Sequence, residues 1–164
     1  MQSNHQARLW AVLVCVLALS GIGLSQTKKS AANKSSRAAG IDKAYLQKIW
    51  DGWDALDATK QAQFYAKGKH MFFDIAPLKY NGWEEYETGV AKELADYKGA
   101  KFTVNDDAEI HPAGEYSWAA ATIRSDMEKN NGKRELSTFR WTAVFQKQGG
   151  KWLIVHEHVS APMQ

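Results

Sequence analysis

The side chains best suited to chemistry cluster in the last hairpin, Phe139 to Pro162, which reads FRWTAVFQKQGGKWLIVHEHVSAP. His156, Glu157 and His158 follow one another there. Alternate residues of a strand share a face, so the two imidazoles would lie together and Glu157 would point the other way. Two histidines could clip a metal ion but do not complete a site, and His70 and His111 cannot be placed beside them. No metal and no cofactor are therefore expected, and the histidines read equally as hydrogen-bonding groups at a subunit interface. Arg140 and Glu157 suggest a different chemistry. If Gly149-Gly150 is the whole turn, Gln148 faces Lys151 and paired residue numbers sum to 299. Arg140, Thr142 and Val144 then share a face with Val159, Glu157 and Val155, while Trp141, Ala143 and Phe145 share the other with His158, His156 and Ile154. Arg140 and Glu157 become diagonal neighbours within ion-pair range, directed into a pocket where the guanidinium would orient a carboxylate or a polarised carbonyl. The turn at Asn130–Gly132 decides which way Arg124 points, and its length is left open. The alternatives are a surface ion pair of little energetic worth, and a register one residue longer in the turn, which swaps the faces.

A second group precedes the hairpin. Asp74 ends the run HMFFD, where its carboxylate can cap the following loop by accepting backbone amides. Trp50 and Trp53, three apart on one helix face, pack in the core or line a pocket. Together with Trp83 they could also plug one. Glycine-rich phosphate loops, G-x-S-x-G elbows and H-E-x-x-H helices are missing from the 164 residues.

The elements that must position these residues are legible from periodicity. Leu9–Leu24 is apolar and Gly23-Leu24-Ser25 offers small residues at the positions a signal peptidase reads, so residues 1–25 are expected to be a secretory signal peptide. Sixteen apolar residues are short of the ~20 that a spanning helix needs. No stable membrane anchor is expected after cleavage, and the mature protein would be secreted or periplasmic. Cleavage removes Cys15, the single cysteine, and with it disulfides and thiolate catalysis. Residues 26–40 read as a disordered linker of Ser, Ala, Lys and Asn. The mature charge of +2 is interspersed, which argues against nucleic-acid binding. Residues 41–164 then form one domain. Ile41–Leu56 carries an amphipathic stripe with Asp42 as N-cap, and a short helix starts at Asp57. A strand at His70–Asp74 and a helix over Trp83–Tyr97 follow. Three long β-patterned runs, Lys101–His111, Glu115–Lys129 and Lys133–Gln148, lead to the final strand Lys151–Ser160. This succession is α+β, with an antiparallel sheet and its helices on one face.

The C-terminal GKWLIVHEHVSAP and the R-x-T strand before it resemble the SnoaL-like and ketosteroid-isomerase-like proteins of the nuclear transport factor 2-like superfamily. The run is also similar to the end of the association domain of calcium/calmodulin-dependent kinases, which closes on W-x-x-V-H-x-H-x-S-x-x-P and carries an arginine in a context similar to Ile123-Arg124, so the resemblance implies that Arg124 joins Arg140 and Glu157. FFDIAPLKYNGWEEY matches further Asp, Pro, Tyr and Gly-Trp signatures of these relatives. Tyr65-Ala66-Lys67-Gly68-Lys69 departs from them, for the family commonly places an aspartate soon after Tyr-Ala. The resemblance implies a cystatin-like cone, a curved antiparallel sheet wrapped around N-terminal helices with a pocket between. It implies two kinds of function. One is a secreted small-molecule pocket protein of isomerase or hydrolyase type, in which Asp74 moves a proton, Tyr80 or His156 donates to an oxyanion and Arg140 orients the ligand. The other is a non-catalytic binding or assembly module that forms a homodimer through the aromatic face of its sheet.

Overall fold

The computed structural model describes residues 40–163. The expected signal peptide and all but the last residue of the expected linker lie outside the described residues. Helix α1 covers Lys43–Trp53, and the Asp42 side chain caps it by accepting the Tyr45 N–H at 2.8 Å. Its apolar stripe buries Leu46, Ile49, Trp50 and Trp53. A 3₁₀ turn, Ala58–Gln63, opens on Asp57, whose carboxylate accepts from the Thr59 amide. Strand β1 is Met71–Phe73, and helix α2, Trp83–Leu94, buries Trp83, Tyr86, Val90 and Leu94. The sheet is completed by β2 (Tyr97–Val104), β3 (Glu109–Ala113), β4 (Tyr116–Lys129), β5 (Arg134–Gln148) and β6 (Lys151–Ser160).

Two expected elements change their bounds. Helix α2 stops at Leu94, and Tyr97, placed at the helix end by periodicity, starts β2 instead. The run Lys101–His111 is divided at Asn105–Ala108, and its parts, β2 and β3, pair with different lengths of β4. Asp107 secures that break by accepting the Thr122 amide and hydroxyl at 3.0 and 2.6 Å. The sheet order is β1-β6-β5-β4-β2, with β3 also on β4. All pairings are antiparallel except β1 on β6. The architecture is the α+β one, a curved six-stranded sheet closing over the helices.

The hairpin contains one feature that the sequence pattern conceals. Gly149 and Gly150 form the turn with φ of 55° and 80°, values that glycine adopts without steric cost. The pairs Gln148–Lys151 through Phe145–Ile154 follow the expected register, after which Val144 pairs with His156. Val155 is the extra residue of a β-bulge, and one extra residue turns every later side chain of β6 to the opposite face. Beyond the bulge Glu157 shares a face with Trp141 and Ala143, and His156 and His158 share the other with Val144, Thr142 and Arg140. The inner face is therefore the aromatic one: Trp141, Phe145 and Ile154 are buried against α1, with Trp141 edge-on to Trp50 at 5.5 Å between ring centres. This corrects the expectation that Trp141, Ala143 and Phe145 form an exposed dimer face.

Candidate functional site

Between α1, α2 and the inner sheet lies a cavity of about 420 Å³. Trp50 and Trp53 line it from α1, Tyr86, Val90 and Leu94 from α2, and Phe102, Met127, Phe139 and Val159 from the sheet. Its polar groups are Asp74, Glu93, Asp96, Tyr97 and Lys129. The walls are therefore apolar and aromatic, with a few convergent polar groups, the usual make-up of a small-molecule site. Trp50 and Trp53 shape the cavity without filling it.

Asp74 follows β1 directly and is partly buried. It accepts the Ile75 amide at 2.7 Å, so the loop-capping bond exists, and the same carboxyl also forms part of the cavity wall. Burial pushes its pKa up, against the lowering influence of the Ile75 amide and the Tyr86 hydroxyl. Glu93 is raised as well, by desolvation and then by the negative charge of Asp74. Among the described residues neither carboxylate has an ion-pair partner, and the one cation of the wall, Lys129, is held by Glu135 at 2.9 Å.

Behind this wall lies a second carboxyl. Glu157 is 1 % exposed. Its Oε1 accepts the Tyr65 hydroxyl and its Oε2 the Trp141 indole N–H, each at 2.9 Å. The Tyr86 ring packs on Tyr65, ring centres 5.5 Å apart, and its side chain lines the cavity with Asp74. Burial dominates here too, and Glu157 is pushed up to about 7. The two tyrosines are driven well above their ordinary range, first by burial and then by the charge of Glu157.

The remaining expected site residues are dispersed. Arg140 is exposed and donates to the Ala161 carbonyl at 3.0 Å. The expected Arg140–Glu157 pair does not form, because the bulge at Val155 puts the two side chains on opposite faces. Arg124 is exposed on the same outer face, opposite Thr138. His156 is also outside, with Nδ1 2.7 Å from the Met71 carbonyl oxygen and its ring edge-on to Phe73. It cannot reach an oxyanion in the cavity. Tyr80 is buried beside the cavity, packs where a Gly89 side chain would stand, and donates to the Ala76 carbonyl at 3.2 Å. Trp83 is fully buried against Tyr65, ring centres 4.5 Å apart, and lies outside the cavity lining. Tyr86 and Tyr65 were missed as site residues. Their signal was a hydroxyl-bearing ring at a position of the buried pattern, since Tyr86 sits in the Trp83, Tyr86, Val90, Leu94 stripe.

Comparison with known proteins places this geometry in a class. Solved structures of the nuclear transport factor 2-like superfamily share the fold. A superfamily member from Salmonella enterica serovar Typhimurium is 19% identical with a TM-score of 0.65, over 74% of this chain and 92% of that one. A candidate calcium/calmodulin-dependent protein kinase II association domain from Xanthomonas campestris is 23% identical with a TM-score of 0.65, over 78% and 92%. A candidate dehydratase of the NTF2-like family from Streptomyces avermitilis is 13% identical with a TM-score of 0.63, over 74% and 95%. No curated protein matches the chain. Residues 44–164 match the SnoaL-like domain, and the chain belongs to that family.

Proposed function

We propose that this domain binds a small, largely apolar molecule in the cavity between helices and sheet, and that Asp74 moves a proton on it, as in an isomerase or hydro-lyase. The observation that carries the reading is the cavity itself. An aromatic chamber of about 420 Å³ has in its wall a carboxyl whose proton affinity is raised by burial, which is how a protein prepares a general base for work near neutral pH. The similarity to a candidate dehydratase agrees with this class of chemistry. The ligand is uncharged or cationic. Asp74, Glu93 and Asp96 stand in the wall, Lys129 is committed to Glu135, and Arg140 lies on the other side of the sheet. An anionic ligand would meet repulsion there without a free cation to offset it.

A generic base probe tests the reading without knowledge of the natural substrate. 5-Nitrobenzisoxazole opens to a cyanophenolate when a base takes its ring C–H proton and the N–O bond breaks. The protein should accelerate this beyond an equal concentration of acetate, with a rate that rises through the raised Asp74 pKa. Asp74→Asn should lower the acceleration by ~10²-fold or more. Binding of the probe, seen as quenching of Trp50 and Trp53, without acceleration would leave a carrier and remove the base.

One observation favours an additional assembly role. The outer face carries Trp118, 41% exposed and stacked on His111 with ring centres 3.9 Å apart, beside Val144 and the Phe73–His156–His158 cluster. A homodimer through this face would cover it. Sedimentation should show a dimer that Trp118→Glu dissociates; a wild-type monomer at micromolar concentration would rule the dimer out. Export belongs to the same proposal, and mass spectrometry from the producing cell should find an N-terminus near Gln26.

A further inference from the structure

The cavity wall holds a donor with nothing to donate to. Trp50 reaches the cavity from the buried stripe of α1 and is 6 % exposed, and its indole Nε1 has no hydrogen-bond partner among the described residues. Its ring neighbours explain why. Phe102 of β2 and Phe139 of β5 lie with ring centres 5.4 and 5.3 Å away, and neither side chain has a polar atom. Trp141 stands edge-on at 5.5 Å, and its own indole N–H is a donor committed to Glu157 at 2.9 Å. The Phe102 carbonyl already accepts the Gln47 amide at 3.0 Å. A buried N–H so placed has given up its water without gaining a bond, which is rare enough in folded proteins to call for a reason. Gln61 Oε1 and Trp83 Nε1 are also buried without partners among the described residues, but neither residue lines the cavity. Trp50 is where an orphan donor coincides with a chamber that can hold a ligand.

We propose that the Trp50 indole N–H is the hydrogen-bond donor that selects and orients the ligand, and that the molecule held in the cavity carries an uncharged acceptor oxygen on an otherwise apolar body. The acceptor is uncharged because Asp74, Glu93 and Asp96 stand in the same wall and would repel an anionic one. An indole N–H donates and does not exchange its proton with a ligand, so Trp50 fixes how the molecule lies and leaves proton transfer to other groups. The inference rests on the reading of the cavity as the ligand site, and it does not depend on Asp74 acting as a base.

The other side-chain donors of the wall are less suited. Lys129 and the Tyr97 hydroxyl are both bonded to Glu135, at 2.9 and 3.1 Å. Trp53 and Tyr86 remain as rivals for the same acceptor. The Trp50 ring is wedged between Phe102, Phe139 and Trp141, so its donor is held in place before the ligand arrives and no internal bond must break to release it. The competing account of the missing partner is an N–H directed at the face of the Trp141 ring, since the two rings stand at 83° to one another. In that case the indole proton is held by the protein's own aromatic cluster and ignores whatever enters the cavity.

Two naphthalenes of one shape separate these accounts: 2-acetonaphthone, which has a carbonyl oxygen, and 2-isopropenylnaphthalene, which has a methylene group in its place. Binding to the full chain is followed by tryptophan quenching, and the indole N–H resonances by nitrogen-15 NMR. The ketone should bind about tenfold more tightly than the alkene, the worth of one neutral hydrogen bond in a dry site. The Trp50 indole proton should move downfield with the ketone and stay in place with the alkene. Trp50→Phe should bring the affinity ratio to about one, whereas Trp53→Phe and Tyr86→Phe should preserve it. Should Trp50→Phe fail to fold, the wild-type ratio and the Trp50 resonance, assigned through its contacts to Phe102 and Phe139, decide without it. Equal binding of ketone and alkene, a preference that survives Trp50→Phe, or a Trp50 resonance indifferent to the ketone overturns the inference and leaves the cavity as the ligand site. Binding of neither compound overturns both. A ketone preference that depends on Trp50 in a protein inert toward 5-nitrobenzisoxazole would instead keep the donor and overturn the assignment of Asp74 as a base.

Discussion

Glu157 on β6 and Glu135 on β5 are the same side chain on neighbouring strands, and the fold drives them in opposite directions. Glu157 lies in the core with neutral donors around it and is pushed up to about 7, burial being the leading cause. Glu135 lies near the cavity mouth, where Lys129 at 2.9 Å, Lys133 at 3.1 Å and the Tyr97 hydroxyl at 3.1 Å hold it down to about 2. Hydrogen bonds reach both carboxyls, so hydrogen bonding alone does not set the direction. The difference is the presence of cations and water at one and their exclusion at the other. A fold that aimed only at stability would place both where Glu135 is. The cost of Glu157 is the physical reason to look for a task it performs.

The largest effect should come from removing the buried carboxyl outright. Glu157→Ala strands the Tyr65 hydroxyl and the Trp141 indole and leaves a void, at ~3–5 kcal/mol in chemical denaturation. Glu157→Gln keeps the shape and an acceptor and should cost ~1 kcal/mol or less at pH 5. If the two variants were equally mild, Glu157 would not be the enclosed, fully bonded group described above.

Next in size is the pH dependence. For Glu157 the folded pKa of about 7 lies above the ordinary 4.5, so between these values the folded state holds a proton that the unfolded state has released. Stability from this group is therefore greatest below about pH 4.5, falls as pH rises, and levels off above about 7. The wild type minus Glu157→Gln difference should decline by roughly 3 kcal/mol across that window. A flat difference would mean that the carboxyl is solvated.

Arg140→Ala separates the two registers of the hairpin at smaller scale. An Arg140 enclosed with Glu157 would cost several kcal/mol to truncate. The exposed Arg140 seen here should cost within ~0.5 kcal/mol and should leave the Glu157 titration unchanged.

The same hairpin shows why the fold was legible in the sequence and the site was less so. Periodicity located α1, α2 and the long strands, and GKWLIVHEHVSAP carried the resemblance to the SnoaL-like family, because those signals are averaged over many residues. The site depended on single residues. The glycines set the turn and the register as far as Phe145–Ile154, but a bulge has no propensity signature in Leu153-Ile154-Val155, and it reversed Arg140 relative to Glu157. Asp74, Trp50 and Trp53 fall at the cavity because they sit on the ends and faces that periodicity does reveal. Tyr65 and Tyr86 read as core aromatics, and they are; the Tyr65 hydroxyl matters only because β6 delivers Glu157 against it, a long-range fact that local pattern does not contain.

The smallest effect concerns Glu135, and it sharpens the comparison from the solvent side. Its folded pKa is depressed below 4.5, so its contribution to stability is present above that pH and is lost as pH falls toward about 2, the reverse of Glu157. Because the site is open to water and salt, Glu135→Gln should change stability less than any variant above, and less still at high ionic strength. Its informative consequence is at the cavity. Glu135 holds Lys129, the one cation of the wall, and neutralising it frees that ammonium to face the chamber. An aromatic anion such as 2-naphthoate, repelled by Asp74, Glu93 and Asp96 in the wild type, should then bind a few-fold more tightly at low salt, by tryptophan quenching. An uncharged analogue such as naphthalene should bind both proteins alike. Equal binding of the anion before and after Glu135→Gln would show that Lys129 never reaches the ligand, and would leave the carboxylates alone to set the charge preference of the site.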